Sequence, residues 1–165
     1  MVARICATLG VAQLGIKIYK KLHKWIKNYI LNSIRLEAVT ILHKYMHYIV
    51  GLGNPGKEYE ATRHNAGRIA VLDFAKKKGI SDLKLDKKLN ALTGEVKIGK
   101  EKTLIILPET FMNKSGLSLK PLITSQKRAA SLIVVHDDID LPLGKIKISF
   151  GKKSAGHKGV ESVIR

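Results

Sequence analysis

Five polar clusters in this 165-residue chain hold side chains that can move protons or orient carbonyl groups. They are Asn54-Pro55-Gly56, Thr62-Arg63-His64-Asn65, Met112-Asn113-Lys114-Ser115-Gly116, His136-Asp137-Asp138 and Gly156-His157-Lys158-Gly159. His64 is the best general base, because a neutral imidazole near pH 7 can take a proton from water. Asp137 is of the type that orients such a ring and stabilises its protonated form. Asn54 and Asn113 offer amide donors for a carbonyl oxygen or a phosphate. The plain alternatives are local: His64 bonding to Asn65 or Thr62, Asp137 capping a turn, and the asparagines serving turn geometry. Ser115 lacks the G-x-S-x-G frame of a nucleophile elbow. The histidines are scattered, and Asp137, Asp138 and Asp140 lack an EF-hand loop. A lone cysteine, Cys6, excludes a disulfide framework and a thiolate metal cage. The chemistry that remains is water-mediated hydrolysis or binding, with no covalent intermediate, metal or cofactor expected.

Gly51-Leu52-Gly53-Asn54-Pro55-Gly56 matches G-x-G-x-x-G directly after an apolar run, and Asp73 follows at about the distance of a ribose-binding acid. Its context is wrong for a dinucleotide site. Such a turn opens its helix inside the glycine motif, so that the helix N-terminus meets the pyrophosphate. Here Pro55-Gly56 signals a turn, and helical periodicity begins only near Ala66.

The elements that must carry these clusters alternate in period. His47–Leu52 reads as a buried strand, and Ala66–Lys78 as a helix closed by Gly79. Leu92–Ile98 and Thr103–Leu107 read as a hairpin around residues 99–102. Ser115–Ser125 is a weaker helix interrupted by Pro121. Leu132–Val135 is a parallel-type buried strand, Lys145–Phe150 a half-exposed one, and Gly156 opens a further helix. Strands alternating with helices predict an α/β fold: a single three-layer α/β/α domain with a mixed, mostly parallel central sheet. In such sheets sites gather outside the carboxyl ends of the strands, where these clusters fall.

The charge is lopsided: 30 Lys and Arg against 13 Asp and Glu leave +17. Hydrophobic residues at 45% exclude a disordered tail, and no run reaches the roughly 18 apolar residues of a membrane span. A soluble intracellular protein meeting an acidic partner follows, with nucleic acid favoured. The excess has two parts. Residues 1–45 carry eight bases and one acid, and residues 46–165 carry 22 bases and 12 acids. Between Leu14 and Ile30 apolar residues recur at three- and four-residue steps with lysines filling the gaps, a basic amphipathic helix suited to a membrane surface, to targeting or to docking on the fold. Met46 is a natural initiator just before the first strand, so residues 1–45 read as an extension or a start-site artefact and residues 46–165 as the domain. The last helical stripe stops at Arg165 without a cap, the pattern of a domain cut short.

The run Ile49 to Gly67, IVGLGNPGKEYEATRHNAG, resembles the N-terminal signature of bacterial-type peptidyl-tRNA hydrolases. Pro108–Gly116, Val135–Lys147 and Ser154–Gly159 resemble three further signatures of that family, in its order and spacing. The resemblance implies a cytoplasmic, monomeric α/β enzyme whose partner is peptidyl-tRNA and whose reaction is hydrolysis of the ester joining a stalled peptide to the 3′ end of tRNA. It implies His64 as the base activating water and Asp137 as the residue holding its ring. It implies Asn54 and Asn113 gripping the substrate near the ester, Met112 and Tyr59 shaping the peptide side, and His157 in a gate over the cleft. Lys158 departs from an asparagine usual in the family, and Ser149 from a phosphate-binding lysine that Lys147 or Lys152 could replace. The family also continues past the position of Arg165, adding a strand, an arginine and a lid helix. The competing readings are a catalytically weak RNA-binding remnant and the dinucleotide-dependent oxidoreductase set aside above.

Overall fold

The computed structural model describes residues 3–7, 24, 28, 47–80, 82–99 and 101–165. Among these residues seven strands form one sheet: β1 (Ala3–Ala7), β2 (His47–Gly51), β3 (Lys84–Asp86), β4 (Ala91–Ile98), β5 (Glu101–Pro108), β6 (Leu132–His136) and β7 (Ile146–Phe150). Their order is β3-β4-β5-β2-β6-β1-β7. The pairings in the middle, β5 with β2, β2 with β6 and β6 with β1, are parallel. The flanks, β3 with β4, β4 with β5 and β1 with β7, are antiparallel. The fold is therefore α/β around a mixed sheet.

The central strands are apolar at nearly every position because both of their faces are covered. Ile49, Ile105, Leu107, Ile133 and Val135 pack on one face against Ala70, Val71, Phe74 and Ala75 of helix α1 (Ala66–Lys77). Tyr48, Val50, Ile106, Leu132 and Val134 pack on the other with Leu119 and with Val160 of α3 (Lys158–Ile164). The two-residue alternation of a strand makes this division. His47, at the start of β2, is buried, and burial pushes its pKa below the ordinary value, with Glu101 pulling the other way.

Helix α1 lies unusually close to the sheet. A Cβ on Gly67 would collide with the backbone carbonyl of Val135, and one on Gly51 would stand 2.8 Å from the carbonyl oxygen of Gly67. Two glycines of the signatures thus let helix and sheet backbones touch. The helix ends one residue before its predicted limit, followed by Gly79 at φ +83°.

The segment 115–125 is not the helix its pattern predicts. A 3₁₀ helix covers Met112–Ser118, and the short helix α2 (Gln126–Ala130) starts afresh behind Ser125, whose side chain accepts from the Arg128 amide. Gly116 explains the tighter turn: its amide donates to Ser162 Oγ at 3.0 Å, and a Cβ there would strike the Ser162 carbonyl. The hairpin turn is also shorter than predicted, since Glu101 and Lys102 already belong to β5. Of the predicted amphipathic helix, only Lys24 and Asn28 fall among the described residues, and both are helical and exposed. No helix among the described residues is long and apolar enough to cross a membrane.

Candidate active site

The parallel strands β2, β5 and β6 end side by side, so the loops after Gly51, Pro108 and His136 open on one edge of the sheet. The loop after β2 is fastened by asparagines. Asn65 is buried; its Oδ1 accepts from the Asn54 amide at 2.7 Å and its Nδ2 donates to the Asn54 carbonyl at 2.9 Å. Asn54 in turn accepts, through Oδ1, the backbone N–H of Met112 at 2.8 Å. With its oxygen engaged, the Asn54 side chain presents its amide nitrogen as a donor. Arg68 braces the same region, donating to the Pro108 carbonyl at 2.8 Å and pairing with Glu109. The 3₁₀ turns Lys57–Tyr59 and Arg63–Asn65 separate the glycine motif from α1, so no helix opens inside that motif.

Asp137 follows directly on β6 and is shared between two imidazoles. Its Oδ2 stands 2.8 Å from His64 Nδ1, and its Oδ1 stands 2.8 Å from His157 Nε2. The tautomers follow from the remaining hydrogen bonds. His157 Nδ1 accepts the amides of Gly159 and Val160 at 3.1 and 3.2 Å, capping α3, so its ring proton sits on Nε2 and is donated to Asp137. His64 likewise donates Nδ1–H to the carboxylate, and its Nε2 keeps a lone pair. The His64 side chain is 72% exposed, against 10% for Asp137 and 13% for His157. Burial pushes the Asp137 carboxyl up, but the hydrogen bonds and electrostatic pull of the His157 and His64 rings outweigh it and hold the pKa below the ordinary carboxylate value. The carboxylate therefore stays an anion and an acceptor through the neutral range. His136 sets its ring edge-on to His157 with centroids 4.6 Å apart, which limits how far that ring can turn.

A cleft of about 1120 Å³ opens over this group. Asn54, His64, Met112, Asp137 and His157, all singled out from sequence, line it together. Lys147, Lys152, Lys153 and Lys158 line it from β7 and the loop leading into α3. Asn113 is exposed and lines a neighbouring groove instead, along with Leu119, Val160 and Arg165. Tyr59 is half-buried and lines neither. His64 does not bond to Thr62 or Asn65: the Thr62 hydroxyl donates to the Tyr59 carbonyl, and Asn65 is engaged with Asn54. The residue that sequence reasoning passed over is Asn65, named only as a member of a cluster. A polar residue immediately before an apolar helix was the available signal, and it reads equally as an N-cap.

An imidazole with an open nitrogen, backed by a buried carboxylate beside an amide donor at the carboxyl ends of parallel strands, defines an α/β protein with a general acid–base site. Residues 48–165 match the peptidyl-tRNA hydrolase family, and the chain belongs to it. A peptidyl-tRNA hydrolase of Carboxydothermus hydrogenoformans is 47% identical over 120 residues, covering 72% of this chain and 63% of its own length. That of Alkaliphilus oremlandii is also 47% identical over 120 residues, 64% of its length. The crystal structure of peptidyl-tRNA hydrolase from Acinetobacter baumannii superimposes with a TM-score of 0.67 at 37% identity, covering 76% of this chain and 64% of that one. The chain thus spans just under two thirds of the length of these relatives.

Proposed function

We propose that this chain hydrolyses the ester between a peptide, or an N-blocked amino acid, and the 3′ end of tRNA. The observation that carries the reading is His64, tied through Nδ1 to an Asp137 kept ionised and open to the cleft at Nε2. Nε2 takes a proton from water as its oxygen attacks the ester carbonyl. The Asn54 amide donates to the oxyanion that forms. As the intermediate collapses, the ester C–O bond breaks and the imidazolium returns its proton to the departing ribose oxygen. Asp137 stabilises the transient imidazolium without itself taking a proton. His157 holds the second oxygen of Asp137, so the residue placed in a gate by resemblance also positions the base's partner. Met112 shapes the peptide side. The lysines of the cleft meet tRNA phosphates, and the protein works as a cytoplasmic monomer without a cofactor.

The test is release of the blocked amino acid from N-acetyl-aminoacyl-tRNA by the wild-type chain and by His64→Ala. Turnover that falls in the variant by about 10²–10⁴-fold, the usual contribution of a general base, is the expected outcome. Binding of tRNA by the wild-type chain with no turnover would overturn this reading in favour of an RNA-binding remnant.

A further inference from the structure

We propose that residues 3–7, which lie outside the region matching the family, form the strand that sets the width of the cleft. The pairing is interior on both sides. Ala3, Arg4, Ile5 and Cys6 run parallel to Ile133, Val134, Val135 and His136. The same strand runs antiparallel to β7, from Ala3 opposite Phe150 to Ala7 opposite Ile146. Among the described residues β7 has no other strand partner. One strand therefore stands between the two elements that carry opposite sides of the cleft. β6 delivers His136 and Asp137, while β7 delivers Lys147, Ile148, Ser149 and Phe150.

Neighbouring strands lie about 4.8 Å apart, so β1 holds β6 and β7 about 10 Å from each other. Without it, β7 either closes on β6 and narrows the cleft by one strand spacing, or loses its ladder altogether. Both outcomes displace the lysine-bearing wall from the His64–Asp137 pair. β1 is in this sense part of the site. Its role as a spacer holds whatever reaction the cleft performs.

Cys6 is the chain's single cysteine and the register partner of Lys147, which makes the arrangement measurable. Directly opposed positions of an antiparallel pair have Cβ atoms about 4.5–5.5 Å apart, within reach of a short bifunctional thiol reagent. In the full chain carrying Lys147→Cys, such a reagent is expected to link positions 6 and 147 within one molecule. Ile146→Cys and Ile148→Cys, displaced by one residue to the other face, are expected to link at least fivefold less. Equal yields at the three positions, or links formed only between molecules, would overturn the proposal. As a second measure, a chain starting at Met46 is expected to lose its cooperative melt and at least 100-fold in kcat/KM. A peptide of residues 1–12 added in trans should restore part of both. A Met46 chain that melts and turns over like the full chain would overturn the proposal as firmly. If the full chain itself shows no turnover, the proposed reaction fails, while the cross-link and the melt still decide the role of β1.

Discussion

The two walls of the cleft are built by different means. The wall bearing Asn54 and His64 is built of irregular loops fixed to one another by side-chain hydrogen bonds: Asn65 to both backbone groups of Asn54, Asn54 to Met112, and Asp137 to His64. The facing wall is a strand and a loop that carry exposed lysines; the strand hangs from the sheet through backbone pairing with β1, and a single side-chain bond, His157 to Asp137, ties the loop across the cleft. Each construction suits the task that the proposed reaction gives it. Proton transfer demands reacting atoms held to within a fraction of an ångström, and buried hydrogen bonds achieve that. Attraction of a polyanion demands only charge near its surface, and long, adaptable side chains supply it without fixed geometry.

That contrast can be broken from either side. The largest effect should come from Asp137→Asn, which leaves His64 and His157 facing an amide that no longer favours the productive tautomer. A fall in kcat of about 10³–10⁴-fold with KM within about threefold is expected, by analogy with the aspartate of a serine-protease triad. A variant retaining a tenth of wild-type kcat would show that the first wall is not organised around this carboxylate. Asn65→Ala comes next. It strips two partners from the Asn54 backbone, and unpaired groups of that kind cost about 1–3 kcal/mol each. Urea unfolding should reveal a loss of about 2–4 kcal/mol, the lower part of the summed range, together with a kcat loss that Asn65→Asp only partly repairs. The smallest effect should come from the double variant Lys152→Gln with Lys158→Gln. Its KM should rise several-fold while kcat stays within twofold of wild type. The slope of log affinity for tRNA against log salt should flatten by about 0.7–0.9 for each phosphate that is no longer neutralised. A fall in kcat without a change in salt slope would mean that the lysines serve the chemistry, and the distinction between the walls would dissolve.

The parts of the molecule that sequence makes readable are those whose signals are local. Helix α1 is bounded by Ala66 and Gly79 and has a clean apolar stripe. β2 and β6 are apolar runs, since both of their faces are covered. His64, Asp137 and Asn54 stand out because few residue types activate water or bind an oxyanion, and these fall on loops after strands. What escaped depends on distant partners. The tautomer of His157 is settled by two amides of the helix it caps, and its link to Asp137 spans 20 residues. The 112–118 turn is tightened by Ser162, 46 residues away from Gly116. Asn113 has the right chemistry, yet the 3₁₀ geometry directs it to the neighbouring groove. The five residues of β1 carry no distinct strand signal, and their neighbours in the sheet are the best part of the chain length away.

This last separation has a temporal side. Ala3 is made before its register partner Ile133, which lies 130 positions later in the chain. At the usual ~5–20 residues per second, the strand waits roughly 6–26 s for that partner to be made. Throughout that interval it offers unpaired backbone edges to any other chain nearby. Residues 1–45 carry eight bases and a single acid, and like charge of this kind disfavours association between copies.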